Sequence, residues 1–223
     1  MLNARFFIKE NCDLDRSVII LTGSSSRGFG EDKDILKLEG KPLLNYVIDA
    51  VKGLTNEVIV VTSSHEKASL FSKKSPSKIR FAVDVTESKG SVVEALTGFE
   101  AANGEYALLL PCNSPFVSRE VLSLLLDLCV GKSAVVPRWT NMRIEPLHAV
   151  YDVKQALVAA KGALAENEYE MEAMVEKMRG VRYISTLVIE QLDPDLRTFF
   201  SVNASVDLKR AEAMNRSKLK RQK

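Results

Sequence analysis

The chain has 223 residues, 46% of them hydrophobic and 27% charged, with a formal net charge of +2. That length can bury a substantial core, as one large α/β domain or as two tightly joined ones, and the near-neutral charge excludes a strong general attraction to nucleic acid. Three widely spaced cysteines (Cys12, Cys112, Cys129) form neither a disulfide framework nor a zinc pattern, and no apolar run approaches the roughly 18 residues of a membrane span, so a cytoplasmic protein is expected.

In chain order, Met1 to Arg16 is polar and carries Lys9, Glu10, Asp13 and Asp15, which is not the pattern of a signal peptide. Ser17 to Leu21 reads as a first buried strand. Pro42-Leu43-Leu44 opens a helix whose apolar positions Leu43, Leu44, Val47, Ile48 and Val51 share one face, and Gly53 closes it. Glu57 to Thr62 is a second strand, Ser64 to Lys73 a short helix and Lys78 to Val83 a third strand. Ser91 to Ala102 is a helix, and the almost wholly apolar Tyr106 to Leu110 suits a parallel strand covered on both faces. Ser118 caps a helix from Arg119 to Val130, followed by a strand from Ser133 to Pro137. Beyond it come a loop (Trp139 to Arg143), a strand (Pro146 to Tyr151), helices over Val153–Leu164 and Glu170–Met178, a strand from Val181 to Ser185, a segment through Phe199 to Val202 and a helix from Ser205 onward. The basic end, with Arg216, Lys218, Lys220, Arg221 and Lys223, reads as a solvated terminus.

Strand and helix alternate strictly as far as Pro137, which predicts an α/β fold of three layers, an open and mostly parallel sheet between helices. Ligands of such sheets sit beyond the carboxyl ends of the strands. The loops after Leu21, Val83 and Leu110 are therefore expected to be neighbours. The division falls into a nucleotide-binding half, 17–137, and an acceptor half, 138–215, within a single domain spanning 1–223.

The most informative stretch runs from Val18 to Lys33, VIILTGSSSRGFGEDK. A buried strand enters a loop of small residues, whose backbone N–H groups can close on an anion, and Lys33 adds a mobile positive charge for the same anion. The loop is neither a GxGxxG fingerprint nor a Walker A loop. A plainer reading of Lys33 pairs it with Asp32 or Asp34 at the surface.

The same stretch resembles the LAGGxSxRMGxDK signature of the MobA-type molybdenum cofactor guanylyltransferases. Four further motifs follow in the family's order: Lys41-Pro42-Leu43-Leu44, Leu109-Leu110-Pro111-Cys112-Asn113-Ser114-Pro115-Phe116, Glu145-Pro146-Leu147-His148-Ala149-Val150-Tyr151, and Phe199-Phe200-Ser201-Val202-Asn203-Ala204-Ser205-Val206-Asp207-Leu208. The resemblance implies a Rossmann-like sheet of the nucleotidyltransferase and glycosyltransferase-A type. It also implies transfer of GMP from GTP to the terminal phosphate of molybdopterin, with Mg²⁺ and release of pyrophosphate, and cofactor-synthesis proteins or molybdoenzymes as partners. On the matched positions, Leu21, Thr22 and Gly23 would hold guanine and ribose or phosphate through backbone groups, Lys33 would contact the phosphates, and Asp84 would lie near the nucleotide. Asn113 would take the metal, while Arg143, Tyr151 and Asn203 would meet the acceptor.

These residues also have structural readings: Asp84 as a strand-end turn, Tyr151 as core, Asn203 as a turn residue capping the last helix, His148 as a packed histidine, and Arg143 as an idle loop arginine. Three positions depart from the family pattern. Ser24 stands for its second Gly, Gly28 for its Arg (with Arg27 one residue early), and Asn113 for its metal-binding Asp. Asn brings a carbonyl oxygen but no charge to Mg²⁺, unless Asp84 or Glu145 compensates. Two other readings stay open: nucleotidyl transfer with another nucleotide such as CTP or another acceptor, and a non-catalytic nucleotide- or cofactor-binding protein.

Overall fold

In the computed structural model, which describes residues 15–23, 36–55, 57–72, 79–86 and 90–221, the first apolar run forms β1 (Arg16–Leu21) at the centre of a seven-stranded sheet. A two-residue hairpin follows, β2 (Lys37–Leu38) and β3 (Lys41–Pro42), and leads into α1 (Leu43–Val51). Then come β4 (Glu57–Thr62), α2 (His65–Ser72), β5 (Ile79–Val83), α3 (Ser91–Ala101), β6 (Tyr106–Pro111), α4 (Arg119–Asp127) and β7 (Ala134–Arg138). The remainder is β8 (Ala149–Asp152), α5 (Val153–Ala165), α6 (Met171–Glu176), β9 (Val181–Ser185), the short α7 (Thr186–Ile189) and α8 (Ser205–Arg221).

The strand order is β5-β4-β1-β6-β8-β7-β9. β5, β4, β1 and β6 are mutually parallel; β8 runs antiparallel to both β6 and β7, and β9 pairs parallel with β7. Because successive strand residues point to opposite faces, β1 feeds two cores. Ile19 and Leu21 meet Ile59, Val61, Phe99 of α3, Ala156 of α5 and Met174 of α6. Val18 and Ile20 meet Val60, Leu108, Val47 of α1 and Leu122 of α4. Both cores mix residues from either side of Pro137. Gly98 lets α3 lie directly on the sheet: a Cβ there would fall 2.4 Å from the Ile19 side chain. A third cluster joins Leu38 and Leu43 to Val202 and Ala211, so α8 docks back on the hairpin near the start of the chain.

Boundaries shift where backbone donors are otherwise engaged. α4 stops at Asp127 rather than Val130, because Gly131 turns with φ +69° and donates its N–H to the Tyr106 hydroxyl at 3.0 Å. The strand expected from Pro146 starts at Ala149, since Glu145–His148 closes a turn in which His148 N–H donates to Glu145 C=O at 3.1 Å.

Candidate functional site: the carboxyl edge of the sheet

β1 lies between β4 and β6, where the strand order reverses, and an open α/β sheet leaves its ligand crevice at that point. The last rung is tightly made. Leu21 C=O accepts from Cys112 N–H at 2.9 Å, and Thr22 sends both its N–H (3.2 Å) and its hydroxyl (2.9 Å) to Val61 C=O. Leu21 and Thr22 are consequently buried, and the exposed Gly23 is where the chain leaves the sheet. The acidic first turn of α3 meets it there, with a Cβ on Gly23 falling 2.4 Å from Glu94 Oε1. Lys33, Ser24, Arg27 and Gly28 lie outside the described residues.

At their described starts the loops after β1 and β6 are neighbours, as expected, whereas Asp84, just past β5, lies one strand further out. β4 intervenes, which sets β5 two strand spacings, about 10 Å, from β1. Asp84 extends the β4–β5 edge through its N–H on Thr62 C=O (2.8 Å), and its Oδ1 accepts from the Thr86 N–H (2.9 Å) and hydroxyl (2.6 Å). That is an Asx turn, the structural reading of this residue.

Beyond β6, the loop 112–118 is zipped to the segment 197–203. Asn113 C=O accepts from Val202 N–H at 2.9 Å, while Asn113 Nδ2 donates to Val202 C=O at 3.2 Å and to Asn203 Oδ1 at 2.9 Å. Ser114 and Ser201 share a hydroxyl hydrogen bond of 2.9 Å, Ser118 N–H donates to Thr198 Oγ1 at 3.1 Å, and the Phe116 and Phe200 rings meet at 5.9 Å. Asn113 and Asn203, 90 residues apart, are thus brought together. The turn into α8 is held by Asp207, whose Oδ2 accepts from the N–H groups of Asn203 and Ala204 at 3.0 and 2.9 Å. The Asn203 side chain is left to Asn113 instead of capping that helix.

His148 closes the zip from beneath. It is buried, its Nε2 lies 3.1 Å from Ser114 Oγ and its ring meets Phe199 edge-on at 5.5 Å. Burial pushes its pKa down to about 4, so it is a neutral packed histidine in the folded protein. Tyr151, expected at the acceptor, is instead a core residue: it is fully buried, its hydroxyl donates to Pro146 C=O at 2.6 Å, and Phe99 packs edge-on against its ring at 5.6 Å. Inward alternation on β8 decides this.

Arg143 sits at the exposed tip of the β7–β8 connection. Its guanidinium lies 5.1 Å from the Trp139 ring centroid and donates to Glu145 Oε1 at 2.8 Å, the same oxygen that accepts from Trp139 Nε1 at 2.6 Å. Burial pushes the Glu145 carboxyl above its ordinary range, against the pull of the Trp139 donation and of Arg143. Trp139 continues to Phe199 at 5.7 Å, so Arg143 and the asparagine pair stand on one edge, linked through aromatic rings. Glu145 Oε1 is engaged in holding this tip.

The donor set at Asn113 bears on Mg²⁺. Among the described residues no cluster of three or more His, Cys, Asp or Glu side chains could hold a metal ion. With Nδ2 turned to Val202 and Asn203, the remaining Asn113 donor is one neutral oxygen, Oδ1. This suits a secondary ligand to a Mg²⁺ carried in on phosphate oxygens, not a dedicated protein cage.

Glu94, Trp139 and the Ser114–Ser201 pair were not singled out by sequence reasoning, whereas His148 was read as the packed histidine it is. Glu94 was findable as the acidic residue in the first turn of the helix crossing over β1; the Ser–Ser pair has no local signal, being assembled from two separate segments.

The sheet order, reversing at β1, and the polar zip at its carboxyl edge give the chain an α/β architecture, and the family match places it in the nucleotidyltransferase class. Residues 18–181 match the MobA-like NTP transferase domain, and the chain belongs to that family. A probable molybdenum cofactor guanylyltransferase of Methanosarcina mazei is 31% identical over 212 residues, which cover 93% of this chain and 94% of that protein. The molybdenum cofactor guanylyltransferase of Desulfosudis oleivorans is 29% identical, covering 87% and 93%. Among solved structures, molybdopterin-guanine dinucleotide biosynthesis protein A from Archaeoglobus fulgidus superposes with a TM-score of 0.76 at 24% identity, over 90% of this chain and 99% of that one. The 4-diphosphocytidyl-2C-methyl-D-erythritol synthase of Anaerococcus prevotii shares the fold at a TM-score of 0.69 and 15% identity, over 92% and 97%. Among the described residues no helix is long and apolar enough to cross a membrane.

Proposed function

We propose that this chain is a molybdenum cofactor guanylyltransferase, transferring GMP from GTP to the terminal phosphate of a molybdopterin-type cofactor with release of pyrophosphate. The observation that carries the reading is the Asn113–Asn203 pair, which joins the end of β6 to the segment before α8 beside the switch-point crevice. In-line nucleotidyl transfer requires little covalent chemistry from the protein; it requires the two reactants to be held in line and the developing charge to be met.

In this reading the chain acts as one domain, with nucleotide bound by 17–137 and acceptor by 138–215. Gly23 supplies the exposed backbone contact to guanosine, over a wall made by Leu21 and Thr22, with Asp84 shaping the nucleotide's far side. Lys33 meets the phosphates. Asn113 Oδ1 would be the protein's ligand to Mg²⁺, which when bound neutralises phosphate charge. Asn203 fixes the orientation of the Asn113 amide, and Arg143 offers a guanidinium to the acceptor phosphate. A cytoplasmic setting goes with this reading, and burial pushes the Cys129 thiol up to about 11, keeping it unreactive.

The test is calorimetric titration with GTP, CTP and ATP, with and without Mg²⁺, followed by pyrophosphate release in the presence of molybdopterin. GTP-selective binding that Mg²⁺ tightens, and acceptor-dependent pyrophosphate release, are the expected results. Preference for CTP would change the nucleotide assigned here, and binding without turnover would leave a carrier.

A further inference from the structure

We infer that Glu145 is a positioning residue for the acceptor phosphate, holding the Arg143 guanidinium over the Trp139 ring with its other N–H donors left for the ligand. This deepens the reading above, in which Arg143 meets the acceptor, and rests on it. The tip of the β7–β8 connection is a small antiparallel ladder. Trp139 N–H donates to Arg143 C=O at 2.8 Å, Glu145 N–H donates to Pro137 C=O at 2.9 Å, and Arg138 bridges to Ile144 between them. Met142 makes the turn with φ +71°, and Arg143 N–H donates to Asn141 Oδ1 at 3.1 Å. In such a ladder Trp139 stands opposite Arg143, and Glu145, two residues on, lies on the same face. The backbone thus brings the three side chains together.

Glu145 Oε1 accepts from Arg143 Nη2 at 2.8 Å and from Trp139 Nε1 at 2.6 Å. The Glu145 side chain is 18% exposed and that of Arg143 63%, so the carboxylate is the fixed partner and the cation the one it holds. A free arginine loses rotamer freedom when it meets a ligand, and holding it in advance removes part of that cost. The carboxylate could also compete with a phosphate for the same cation. Contact geometry decides between the two effects. The pair runs through Nη2 and an oxygen shared with Trp139, rather than through two parallel bonds, so the guanidinium keeps donors for a phosphate.

The hold is reciprocal. Glu172 of α6 acts on Glu145 as a like charge, and Arg143 offsets it. The tip is also fastened to the rest of the site, because the Trp139 ring meets Phe199, and the segment that begins there carries Asn203, the partner of Asn113. Glu145 therefore places the cation relative to the asparagine pair, without itself needing to touch the acceptor.

The experiment compares the full-length protein with Glu145→Gln, Arg143→Ala and the double variant. It measures the KM for molybdopterin and for GTP by pyrophosphate release with Mg²⁺, and the emission of Trp139, the one tryptophan of the chain. Glutamine keeps an oxygen for Trp139 Nε1 and lacks the charge. Glu145→Gln should raise the molybdopterin KM about threefold, with kcat and the GTP KM held. In the Arg143→Ala background it should add nothing to that KM, and Arg143→Ala should shift the Trp139 emission only while Glu145 is present. Additive effects on the KM would give Glu145 a contact of its own, a lower KM would show the carboxylate competing with the phosphate, and a parallel rise in the GTP KM would make it scaffold; each overturns the inference. So would an emission shift from Arg143→Ala that is the same with and without the carboxylate, a result that does not depend on turnover. If Arg143→Ala left the molybdopterin KM unchanged, the acceptor role of Arg143 would fall instead, and if the unaltered protein released no pyrophosphate, the guanylyltransferase reading itself.

Discussion

The two ends of the central sheet each carry a polar cluster, and the clusters differ in what they leave over. At the amino edge, Glu57 accepts from the Ser17 hydroxyl, from Arg80 and from both the backbone N–H (2.9 Å) and the side-chain amide (2.6 Å) of Asn103, while Gly104 N–H donates to Ser17 Oγ at 3.0 Å. Burial alone would raise the Glu57 pKa, but the bonds from Ser17, Asn103 and Arg80 bring it below the ordinary value. Every acceptor there is used internally, and the cluster fixes β1, β4, β5 and the turn before β6 to one another. At the carboxyl edge, the zip of loop 112–118 to segment 197–203 is built of neutral amides and hydroxyls, and Asn113 Oδ1 receives no hydrogen bond from a described residue. A closed cluster stabilises; one that keeps acceptors for something else has the makings of a binding site.

Removing the carboxylate of the closed cluster should have the largest effect. Glu57→Ala leaves the Arg80, Ser17 and Asn103 donors without their acceptor and should cost about 3 kcal/mol in urea titration, while the KM for GTP of the folded fraction stays unchanged. A shift in KM would mean that the two ends are coupled through β1.

Next in size is a pH effect at the carboxyl edge. His148 titrates near 4 in the folded protein because of burial, against an ordinary value near 6.5 when unfolded. Between those values the unfolded chain binds more protons, so the stability contributed by neutral His148 is complete above about pH 6.5. It is lost as pH falls toward 4, by about 3 kcal/mol. Ser114 and Phe199 contact the ring, neither of them charged, and burial alone causes the shift. His148→Leu should flatten this limb of the stability profile; an undiminished slope would place its origin in the carboxylates.

Asn113→Asp tests the zip and the metal together. The aspartate gains a charge for Mg²⁺ but can no longer donate to Val202 C=O and Asn203 Oδ1. Mg²⁺ should bind about tenfold more tightly, with folding stability lower by about 1–2 kcal/mol. Tighter metal binding with no loss of stability would show that Asn203 re-forms the contact by turning its amide; no change in metal binding would remove Asn113 from the metal site.

The smallest effect on stability belongs to Arg143→Ala, since an exposed ion pair contributes under about 1 kcal/mol. It should raise the KM for the acceptor several-fold and leave that for GTP alone. Equal changes in both would assign Arg143 to the scaffold around Trp139. Tyr151→Phe provides the contrast, leaving Pro146 C=O without its buried donor at a cost of about 1–2 kcal/mol and the acceptor KM unaltered.

Local pattern alone determined most of the architecture. The β-branched and apolar runs at 17–21, 57–62, 106–110 and 181–185 could only be strands, and Ser118 caps α4 through its hydroxyl on Val121 N–H at 3.4 Å. The motifs also carried the family and set Asn113 and Gly23 at strand ends, because a strand's end and the residues just past it are adjacent in the chain. Tertiary structure decided the rest. The insertion of β4 between β5 and β1 distances Asp84 from Leu21, the inward face of β8 turns Tyr151 into the core, and Asn203 meets Asn113 across 90 residues. Periodicity and capping act over a few residues and are written in the sequence. Strand order, and the partner that each polar side chain finds, depend on which distant segments the buried sheet brings to the same edge.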